Sequence, residues 1–472
     1  MSTRKNPAAP AHTHWHCQAV ALANHRQANP IGDGQAVRPW PERVERARRL
    51  ARAGVLHGVR PVKPSISMEK AMEIILDAVR ALDLETVPLL EANGRVLGQD
   101  IISPLMVPPL DCSAMDGYAV KAADTRGAAP DCPVRLQVRG ESRAGGGLEG
   151  LSLSRGGAVR IMTGALMPPG ADAVVQVEET EEEHGFVRVF SAVAPYQNYR
   201  RAGESIAPGD RVLPRGERLR PADLGLLAAL NQAQVAVHRR PTVAVISTGD
   251  ELAGLGQRSR PGGVHDVNAY TLCAEVQKYG GRPQYLGIAR DSLAELQTLF
   301  RQALATADVV ISTGGVSMGR YDFVKDIHAA LGIQTRFEWI DVKPGKPCVF
   351  GTKDDVLVFG LPGSPVASLT SFIQFVRPAL LRLMGARRIH KPVVEAILTE
   401  DIDKSPAGKV HLLRGRFTLR DNRLHVATTG NQKSSLLRSM SEANCLIVLP
   451  ADRPRVKAGE KVTIQLIDHD EV

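Results

Sequence analysis

Three apolar segments in the second half of the chain, each followed by a loop that contains glycine, most constrain the fold. The segments span residues 242–246, 308–312 and 356–359, and their length suits buried strands. Helical patterns separate them, with expected helices at 268–279, 291–306, 321–331 and 365–384. Asn268 is expected to cap the first of these helices, and Gly332 to end the third. Strands that alternate with helices predict a parallel sheet with helices on both faces.

The loops at the ends of these three strands form the first candidate site. They read Thr-Gly-Asp at 248–250, Thr-Gly-Gly-Val-Ser-Met-Gly at 313–319 and Gly-Leu-Pro-Gly-Ser-Pro at 360–365. Ligands of open parallel sheets bind beyond the carboxyl ends of the strands, and glycines let backbone amides approach an anion. One such loop is usually only a turn, but three successive ones predict an anion or phosphate site. The loop residues expected at this site are Gly249, Gly314, Gly315, Ser317 and Gly363, followed by Ser364 as a helix N-cap and Pro365 in the first turn.

Two lysines lie just before the third strand, in the segment Val-Lys-Pro-Gly-Lys-Pro at 342–347. A stiff Pro-Gly frame can hold the ammonium groups of Lys343 and Lys346 on a phosphate or oxyanion. The alternative is an exposed loop with solvated lysines. Polar residues on a loop that a rigid scaffold positions favour the functional interpretation.

Two acids, Asp250 and Asp322, lie on the first two strand-end loops. Carboxylates near an anion site repel the anion unless a metal ion lies between them. The pattern therefore predicts a Mg²⁺ site that involves Asp250 and Asp322. The alternative for Asp250 is a helix cap.

Charge and motif patterns exclude several classes of protein. The net charge is +9, but residues 1–60 hold ten Lys or Arg against three Asp or Glu and so account for +7 of it. The rest of the chain has no polyanion-binding character, and no nucleic-acid partner is expected. No apolar run approaches the length of a membrane span. Dinucleotide, P-loop and serine-hydrolase fingerprints are absent from the sequence.

The remaining segments differ in character. An amphipathic helix is expected at 67–82, capped by Ser67, and another at 221–231, begun by Pro221. Residues 111–200 are rich in Val, Gly and Pro and predict a β-rich insert, whereas 392–472 holds five strand-like pieces of a small all-β domain.

Six scattered cysteines without a C-x-x-C pair suit a reducing compartment.

Residues 1–60 are expected to be a disordered basic tail. His12, His14, His16 and Cys17 have the ligand types of a metal site, but their clustering in one biased segment is more typical of a tail.

Taken together, seven longer segments resemble the MoeA family of molybdopterin molybdenumtransferases, which includes the E domain of gephyrin. The resemblance runs from about residue 64 to 472 and rests on SPLMVPPLDCSAMDGYAV at 103–120, RIMTGALMPPGADAVVQVEET at 160–180, RRAGESI at 200–206, STGDEL at 247–252, DVVISTGGVSMGRYDFVKD at 308–326, VKPGKP at 342–347 and GLPGSPVAS at 360–368.

This resemblance implies a multidomain α/β plus β protein in which a split linker region surrounds a β-rich domain. The expected parts are a helical linker region at 61–110 and 205–240, a β-rich domain at 111–204, a molybdopterin-binding α/β domain at 241–388 and a C-terminal β-domain at 389–472. It also implies a cytoplasmic homodimer whose active cleft lies between the α/β domain of one subunit and the β-rich domain of the other. The implied substrates are adenylylated molybdopterin and molybdate, with Mg²⁺ as cofactor and AMP as a product. An adenylyltransferase or a molybdoenzyme would be a further contact.

The same resemblance implies roles for individual residues. Asp116 and Glu204 would be cleft acids, and Asp250 and Asp322 would lie near the metal and the adenylylated phosphate. The residues implied in binding the pterin phosphate or molybdate, or in shaping the pocket beside it, are Thr163, Gly164, Lys343, Lys346, Pro362, Ser364, Pro365, Arg414 and Ser434.

Two other functions remain open from the sequence. A molybdopterin adenylyltransferase shares the α/β domain, but it typically carries Gly-Gly-Thr-Gly where this chain has Gly-Gly-Val-Ser at 314–317. A non-catalytic molybdopterin-binding scaffold would need many of the same acids and lysines.

Overall fold

The computed structural model describes residues 65–315, 323–404 and 408–467. The predicted tail with its histidines, and the predicted site residues Ser317 and Asp322, lie outside these described residues.

The first helix, α1 (Met68–Ala78), begins as predicted, because the backbone N–H of Lys70 donates to Ser67 Oγ at 3.1 Å. It ends four residues earlier than predicted, since the backbone becomes extended at Val79. Ala71 and Ile75 are fully buried and pack into the core of the α/β domain.

Residues 84–238 contain twelve strands and one helix. The strands are β1 (Leu84–Pro88), β2 (Ile101–Ile102), β3 (Cys112–Ser113), β4 (Gly117–Val120), β5 (Val134–Ser142), β6 (Gly157–Ile161), β7 (Ala173–Gln176), β8 (Thr180–Glu183), β9 (Phe186–Val189), β10 (Tyr199–Arg200), β11 (Arg211–Leu213) and β12 (Gln234–His238). The helix is α2 (Pro221–Ala229), which starts at the predicted proline.

The linker region holds two pairs of strands as well as helices. Strand β1 pairs with β12 and β2 with β11, both antiparallel, so each pair joins the two sequence segments of the region. Its core includes Leu97, Leu227 and Val237, all fully buried. The prediction of a helical linker is therefore incomplete, because long-range strand pairing closes the region.

The predicted β-rich domain contains a six-stranded sheet in the order β7-β4-β6-β5-β9-β8. Apolar residues pack on both faces of this sheet, with Tyr118 and Val175 in one cluster and Ala119 and Val174 in another. Alternate residues of one strand thus serve opposite faces, as the two-residue repeat of a strand requires.

Residues 242–383 alternate strands and helices. The strands are β13 (Thr242–Thr248), β14 (Leu252–Ala253), β15 (Val264–His265), β16 (Arg282–Ala289), β17 (Val309–Thr313), β18 (Gln334–Trp339), β19 (Val342–Lys343), β20 (Pro347–Lys353) and β21 (Val356–Leu361). The helices are α3 (Asn268–Lys278), α4 (Leu293–Thr306), α5 (Val324–Leu331), α6 (Pro365–Ser371) and α7 (Arg377–Leu383).

The central sheet of this domain has the order β16-β13-β17-β21-β20-β18. The first four strands are parallel, and separate apolar clusters cover the two faces. Strands β13, β17 and β21 were predicted, whereas β16 was not. Strands β20 and β18 extend the sheet antiparallel and were not predicted. The result is a mixed sheet whose parallel part carries the predicted strand-end loops.

The last helix of the domain is interrupted rather than continuous to 384 as predicted. A π-helical turn, Phe372–Val376, separates α6 from α7 and is buried throughout. Ser364 occupies the N-cap position, but its side chain makes no capping hydrogen bond.

Residues 393–466 form a small β-barrel with one short helix, α8 (Leu437–Ser441). Its strands are β22 (Val393–Leu398), β23 (Ile402–Asp403), β24 (Val410–Arg420), β25 (Arg423–Thr428), β26 (Cys445–Leu449), β27 (Arg455–Val456) and β28 (Lys461–Leu466). These strands lie in the order β24-β25-β22-β28-β26, and the barrel closes because β26 also pairs with β24. The short strand β19 of the α/β domain pairs with the start of β24.

No helix in the described parts of the chain is long and apolar enough to cross a membrane. The five cysteines in those parts are all free thiols.

Candidate active site

The carboxyl ends of three parallel strands meet at a small cavity of about 220 Å³. Its lining comes from the loops after β13, β17 and β21 and from the segments around them: Thr248, Gly249, Glu251, Leu252, Asn268, Asp291, Thr313, Gly314, Gly315 and Gly363. The loops are tied to one another, since Thr248 Oγ1 donates to the Thr313 carbonyl at 3.0 Å and the N–H of Gly314 to the Leu361 carbonyl at 3.1 Å. The structure therefore brings together Gly249, Gly314, Gly315 and Gly363, which were predicted from separate loops.

Glycine is required at Gly314 for two reasons. Its φ is +87°, and a Cβ built there would lie 2.7 Å from the carbonyl oxygen and Oγ1 of Thr248. No side chain fits between these loops, so backbone groups form the wall of the cavity.

The acids that line this cavity are Glu251 and Asp291, neither of which was predicted as a site residue. Asp250 is exposed beside it, and its Oδ1 accepts a hydrogen bond from the N–H of Asp291 at 3.3 Å. The alternative that Asp250 caps a helix is wrong, because β14 follows it. Among the described residues, no three His, Cys, Asp or Glu side chains are grouped closely enough to hold a metal ion by themselves.

Asn268 does not cap α3 as predicted. Asp266 does so instead, since its Oδ1 accepts from the N–H of Ala269 at 3.1 Å. The side chain of Asn268 donates to the Gly363 carbonyl at 2.8 Å and so holds the third strand-end loop.

A larger cavity of about 1020 Å³ lies between the α/β domain and the barrel. One wall is the segment 342–347, and the other comes from residues 400–404 and 409–414 of the barrel and from the loop 431–435. Strand β19 joins the two walls because it pairs with β24, with Val342 opposite Val410 and Lys343 opposite His411. Glycine is also required at position 345. Its φ is +104°, and a Cβ built there would lie 2.7 Å from Ser371 Oγ.

Lysine dominates the charge of the larger cavity. Lys343 and Lys346 line it as predicted, and Lys409, Lys404 and Lys433 join them. Burial lowers the pKa of the Lys409 ammonium, and repulsion from Lys346 adds to this effect. Asp341 offsets part of this repulsion. Close packing of several ammonium groups around one cavity indicates a site for an anion.

The acids on the rim of this cavity are already engaged. Asp401 accepts from Lys457 Nζ at 2.8 Å, and this hydrogen bond holds the pKa of Asp401 below its ordinary value. A hydrogen bond from Arg455 likewise holds the pKa of Asp403 below its ordinary value. Glu400 accepts from the N–H of Thr428 at 2.6 Å. Each of these carboxylates is therefore held by a partner within the barrel.

One loop forms a wall of both cavities. Pro362 and Ser364 line the larger cavity, and Gly363 between them lines the smaller one. A ligand that has a phosphate in one cavity can therefore present another group to the other. Pro365 begins α6 behind this loop and lines neither cavity.

Arg414 lines the larger cavity, but its guanidinium is fully buried and holds a loop. Its Nη1 and Nη2 donate to the carbonyls of Gln432, Asn431 and Lys433, each at 3.1 Å, and its Nε donates to Ser439 Oγ. This loop carries Ser434, which also lines the cavity. Arg414 thus lines the larger cavity and positions its wall, and its implied place in the oxyanion pocket stays a prediction.

Replacing Arg414 by Met should lower the free energy of unfolding by about 3 kcal/mol, because three backbone carbonyls and Ser439 Oγ lose the same buried, charged donor group. Urea denaturation of the full chain measures this. Arg416 lies on the same strand but is exposed, and Arg416→Met should change stability by less than about 0.5 kcal/mol. Equal effects of the two substitutions would contradict the role of Arg414.

The two predicted cleft acids, Asp116 and Glu204, lie on the β-rich domain and line neither cavity. Asp116 accepts from the N–H and Oγ1 of Thr163 at 2.6 and 2.8 Å, and these bonds lower its pKa. Glu204 accepts from the N–H of Arg201. Pairing of β3 with β10 places their two loops side by side. Asp116, Thr163 and Glu204 therefore belong to a separate exposed patch.

Comparisons with known proteins cover nearly all of the described chain. Residues 66–231 match the MoeA N-terminal region (domains I and II), 244–382 match a probable molybdopterin binding domain, and 395–467 match the MoeA C-terminal region (domain IV).

Similar proteins include the molybdopterin molybdenumtransferase of Haemophilus influenzae, 39% identical over 408 residues that cover 84% of this chain and 99% of the relative. The molybdopterin molybdenumtransferase of a Nostoc species is 36% identical over 86% of this chain and 94% of its own length. The crystal structure of the molybdopterin biosynthesis MoeA protein from Pyrococcus horikoshii OT3 aligns with a TM-score of 0.73 at 30% identity, over 86% of this chain and all of that one.

The matches span the β-rich domain and the barrel as well as the α/β domain, which favours the transferase over the adenylyltransferase alternative. The chain belongs to the MoeA family of molybdopterin molybdenumtransferases.

Proposed function

We propose that this protein inserts molybdate into adenylylated molybdopterin and releases AMP, the final step of molybdenum cofactor synthesis. The observation that carries the proposal is the loop 360–365, which forms a wall of both the glycine-lined cavity and the lysine-lined cavity. The adenylylated phosphate would bind to backbone amides at the strand ends. Molybdate would bind beside Lys343 and Lys346, close to the dithiolene of the same substrate.

The charges of the site suit this reaction. Molybdate is a dianion and the activated pterin carries a phosphoanhydride, so ammonium groups and loop amides would offset negative charge that is brought together. In the reaction, water cleaves the phosphoanhydride and AMP leaves. The two dithiolene S–H groups give their protons to one oxygen of molybdate, which leaves as water while both sulfurs bind molybdenum. The sulfurs come from the substrate, so no cysteine of the protein is needed.

Mg²⁺ is the cofactor that we propose, with Asp250 and Asp322 as ligands. Mg²⁺ is commonly bound by one or two carboxylates together with substrate phosphates. The donor set fits this mode, because Glu251 and Asp291 line the glycine-rich cavity and Asp250 is beside it. When bound, Mg²⁺ would polarise the phosphoanhydride. The carboxylates would hold the ion, and the glycine amides would orient the phosphate.

Incubation of the full chain with adenylylated molybdopterin, molybdate and Mg²⁺ tests the proposal. The expected result is AMP release that depends on molybdate, together with formation of molybdenum cofactor. Binding of the pterin without AMP release would instead indicate the scaffold function. If Asp250→Asn left molybdate-dependent AMP release at the wild-type rate, the metal role of Asp250 would be wrong.

We also propose a homodimer in which the partner subunit supplies its own Asp116 and Glu204 to each cleft. In support, both acids lie away from the cavities of their own chain, and the nearby segment 102–110 exposes Ile102, Leu105, Met106 and Leu110 by 44–56%. Exposed apolar residues that follow one another along a segment are typical of an interface.

Mixing two inactive variants tests this arrangement. Asp116→Asn and Lys343→Ala should each be inactive alone, but after dissociation and reassociation the mixture should regain about one quarter of wild-type activity. Half of the dimers would then be mixed, each with one intact site. No recovery in a mixture that forms dimers would contradict a site shared between subunits.

A pH dependence follows from Lys409. Its ammonium favours molybdate binding, and its pKa is already lowered by burial and by Lys346. Molybdate affinity should be highest at pH values below the lowered pKa of Lys409 and should fall as pH rises through it. The fall should occur at a lower pH than for an ordinary lysine, whose pKa is about 10.4. Lys409→Arg should move the fall to higher pH, as measured by calorimetric titration from neutral pH to about pH 10. An unchanged profile would contradict a role of Lys409 in binding.

A cytoplasmic location is part of the proposal, since free thiols at all five described cysteines suit a reducing compartment. Contact with an adenylyltransferase or a molybdoenzyme would deliver the substrate and take the product.

A further inference from the structure

A cavity rich in arginine lies apart from the candidate active site, where the linker region meets the α/β domain. It has a volume of about 350 Å³ and is lined by Leu90, Glu91, Asn93, Arg95, Arg240 and Arg282. The first four residues come from the turn after β1, whereas Arg240 connects β12 to β13 and Arg282 begins β16. None of these residues lines either cavity of the candidate active site.

Arg95 has unused hydrogen-bond donors beside this cavity although its residue surface is only 5% exposed. Its Nη2 donates to the Glu85 carboxylate and to the His238 carbonyl. Its Nε is buried and has no hydrogen-bond partner in the described chain. Buried charged donors are normally satisfied, because an unmade hydrogen bond of this kind is costly. The buried guanidinium of Arg95 beside the cavity therefore lacks part of its set of acceptors.

Arg240 and Arg282 add two further guanidinium groups, and neither forms a hydrogen bond or ion pair with the described residues. Burial lowers the pKa of the Arg240 guanidinium, and repulsion from Arg95 and Arg282 adds to this effect. Such repulsion is normally offset by an acid or an anion.

The acids near the cavity do not balance these arginines. Glu85 forms an ion pair with Arg95. Glu91 also lines the cavity and offsets part of the charge. Arg218 adds positive charge close enough to repel the Arg240 guanidinium. The cavity therefore keeps a net positive charge.

We propose that this arginine cavity binds a phosphate-type dianion, either inorganic phosphate or the phosphate group of a small ester. The planar fork of arginine matches two phosphate oxygens at once, and three forks around one cavity can surround a single dianion. The volume lies at the lower end of the range for small-molecule sites. A dianion held there joins the turn after β1 to the start of β16, and so braces the linker region against the α/β domain.

Calorimetric titration of the full chain with inorganic phosphate, and separately with ribose 5-phosphate, tests the proposal. The background is Lys343→Gln/Lys346→Gln combined with Gly314→Ala, so that neither the lysine-lined nor the glycine-lined cavity contributes. One saturable site is expected. Adding Arg240→Gln/Arg282→Gln should weaken it by roughly tenfold or more, since two charged donors are lost. Tighter binding of ribose 5-phosphate would identify an ester as the occupant, and equal or tighter binding of inorganic phosphate would identify the free ion.

Two further variants separate a binding site from a general effect of charge. Glu91→Gln should tighten phosphate binding, because it removes the carboxylate that lines the cavity. Arg301→Gln/Arg416→Gln removes the same charge from two exposed positions elsewhere and should leave the affinity unchanged. The proposal is overturned if no saturable site is found in the triple-substituted background, or if the control pair weakens binding as much as the Arg240 and Arg282 pair.

Discussion

Replacing Lys343 and Lys346 together by Gln should lower kcat/KM for molybdate by roughly 10²-fold to 10³-fold, the range found when one oriented donor to a developing anion is lost. Both ammonium groups line the larger cavity, where the acids at the rim are engaged by Lys457, Arg455 and the backbone. The measurement is the initial rate of AMP release at varied molybdate concentration.

Lys461→Gln is the matched control for this pair, because Lys461 is exposed on the barrel and pairs with Glu395 at 2.9 Å. It should leave the rate unchanged. The melting temperatures of both variants should stay close to that of the wild type, which excludes unfolding as the cause. A double variant with wild-type kinetics would mean that molybdate binds elsewhere.

A single methyl group at Gly314 should abolish most pterin binding while molybdate binding remains. In Gly314→Ala the Cβ would lie 2.7 Å from Thr248 atoms at a φ of +87°, so two strand-end loops must separate. Affinity for the adenylylated pterin should fall by roughly 10²-fold, because a shift of about 1 Å in a positioned group has effects of that size. Calorimetric titration with each ligand separates the two cavities.

Gly332→Ala controls for backbone strain in that experiment. Gly332 ends α5 with a φ of +69°, and nothing lies within 4 Å of a Cβ built there. It should lose about 1 kcal/mol of stability from the left-handed backbone alone, without loss of pterin affinity. If the two variants bound the pterin equally well, the glycine-lined strand ends would not be the phosphate site.

The parallel part of the sheet could be predicted because its determinants are local. Each strand is a short apolar run, and the loop that follows carries its own glycine, so the sequence order alone places Gly249, Gly314 and Gly363 at one edge of the sheet. The two lysines of 342–347 were also recognisable from one short segment. Strands β16, β18 and β20 were missed because each mixes polar residues with short apolar stretches.

Other features depend on contacts between distant residues and could not be predicted from one segment. Lys409 reaches the lysine-lined cavity only because β19 pairs with β24, and no local pattern signals that register. The resemblance placed Arg414 at the oxyanion pocket, but no local pattern could show that its guanidinium donates to the carbonyls of residues 431–433. Asn268 had the sequence context of a helix cap, but a loop 95 residues away offered it a better acceptor.

The acids of the phosphate cavity show a similar limit. Asp250 and Glu251 are neighbours in the sequence, and only the fold decides that Glu251 lines the cavity. Asp291 lies just before α4, where its residue type suggested only the start of a helix. A carboxylate two residues before a helix that follows a parallel strand is a pattern that could have identified it.

The central claim is that the lysine-lined cavity, sharing a wall with the glycine-lined strand ends, is where molybdate meets the pterin. Anomalous diffraction from crystals of the full chain soaked in molybdate, recorded near the molybdenum edge, tests it most directly. We expect a molybdenum peak in the larger cavity within hydrogen-bond distance of Lys343 or Lys346. A fully occupied peak elsewhere, with this cavity empty, would contradict it.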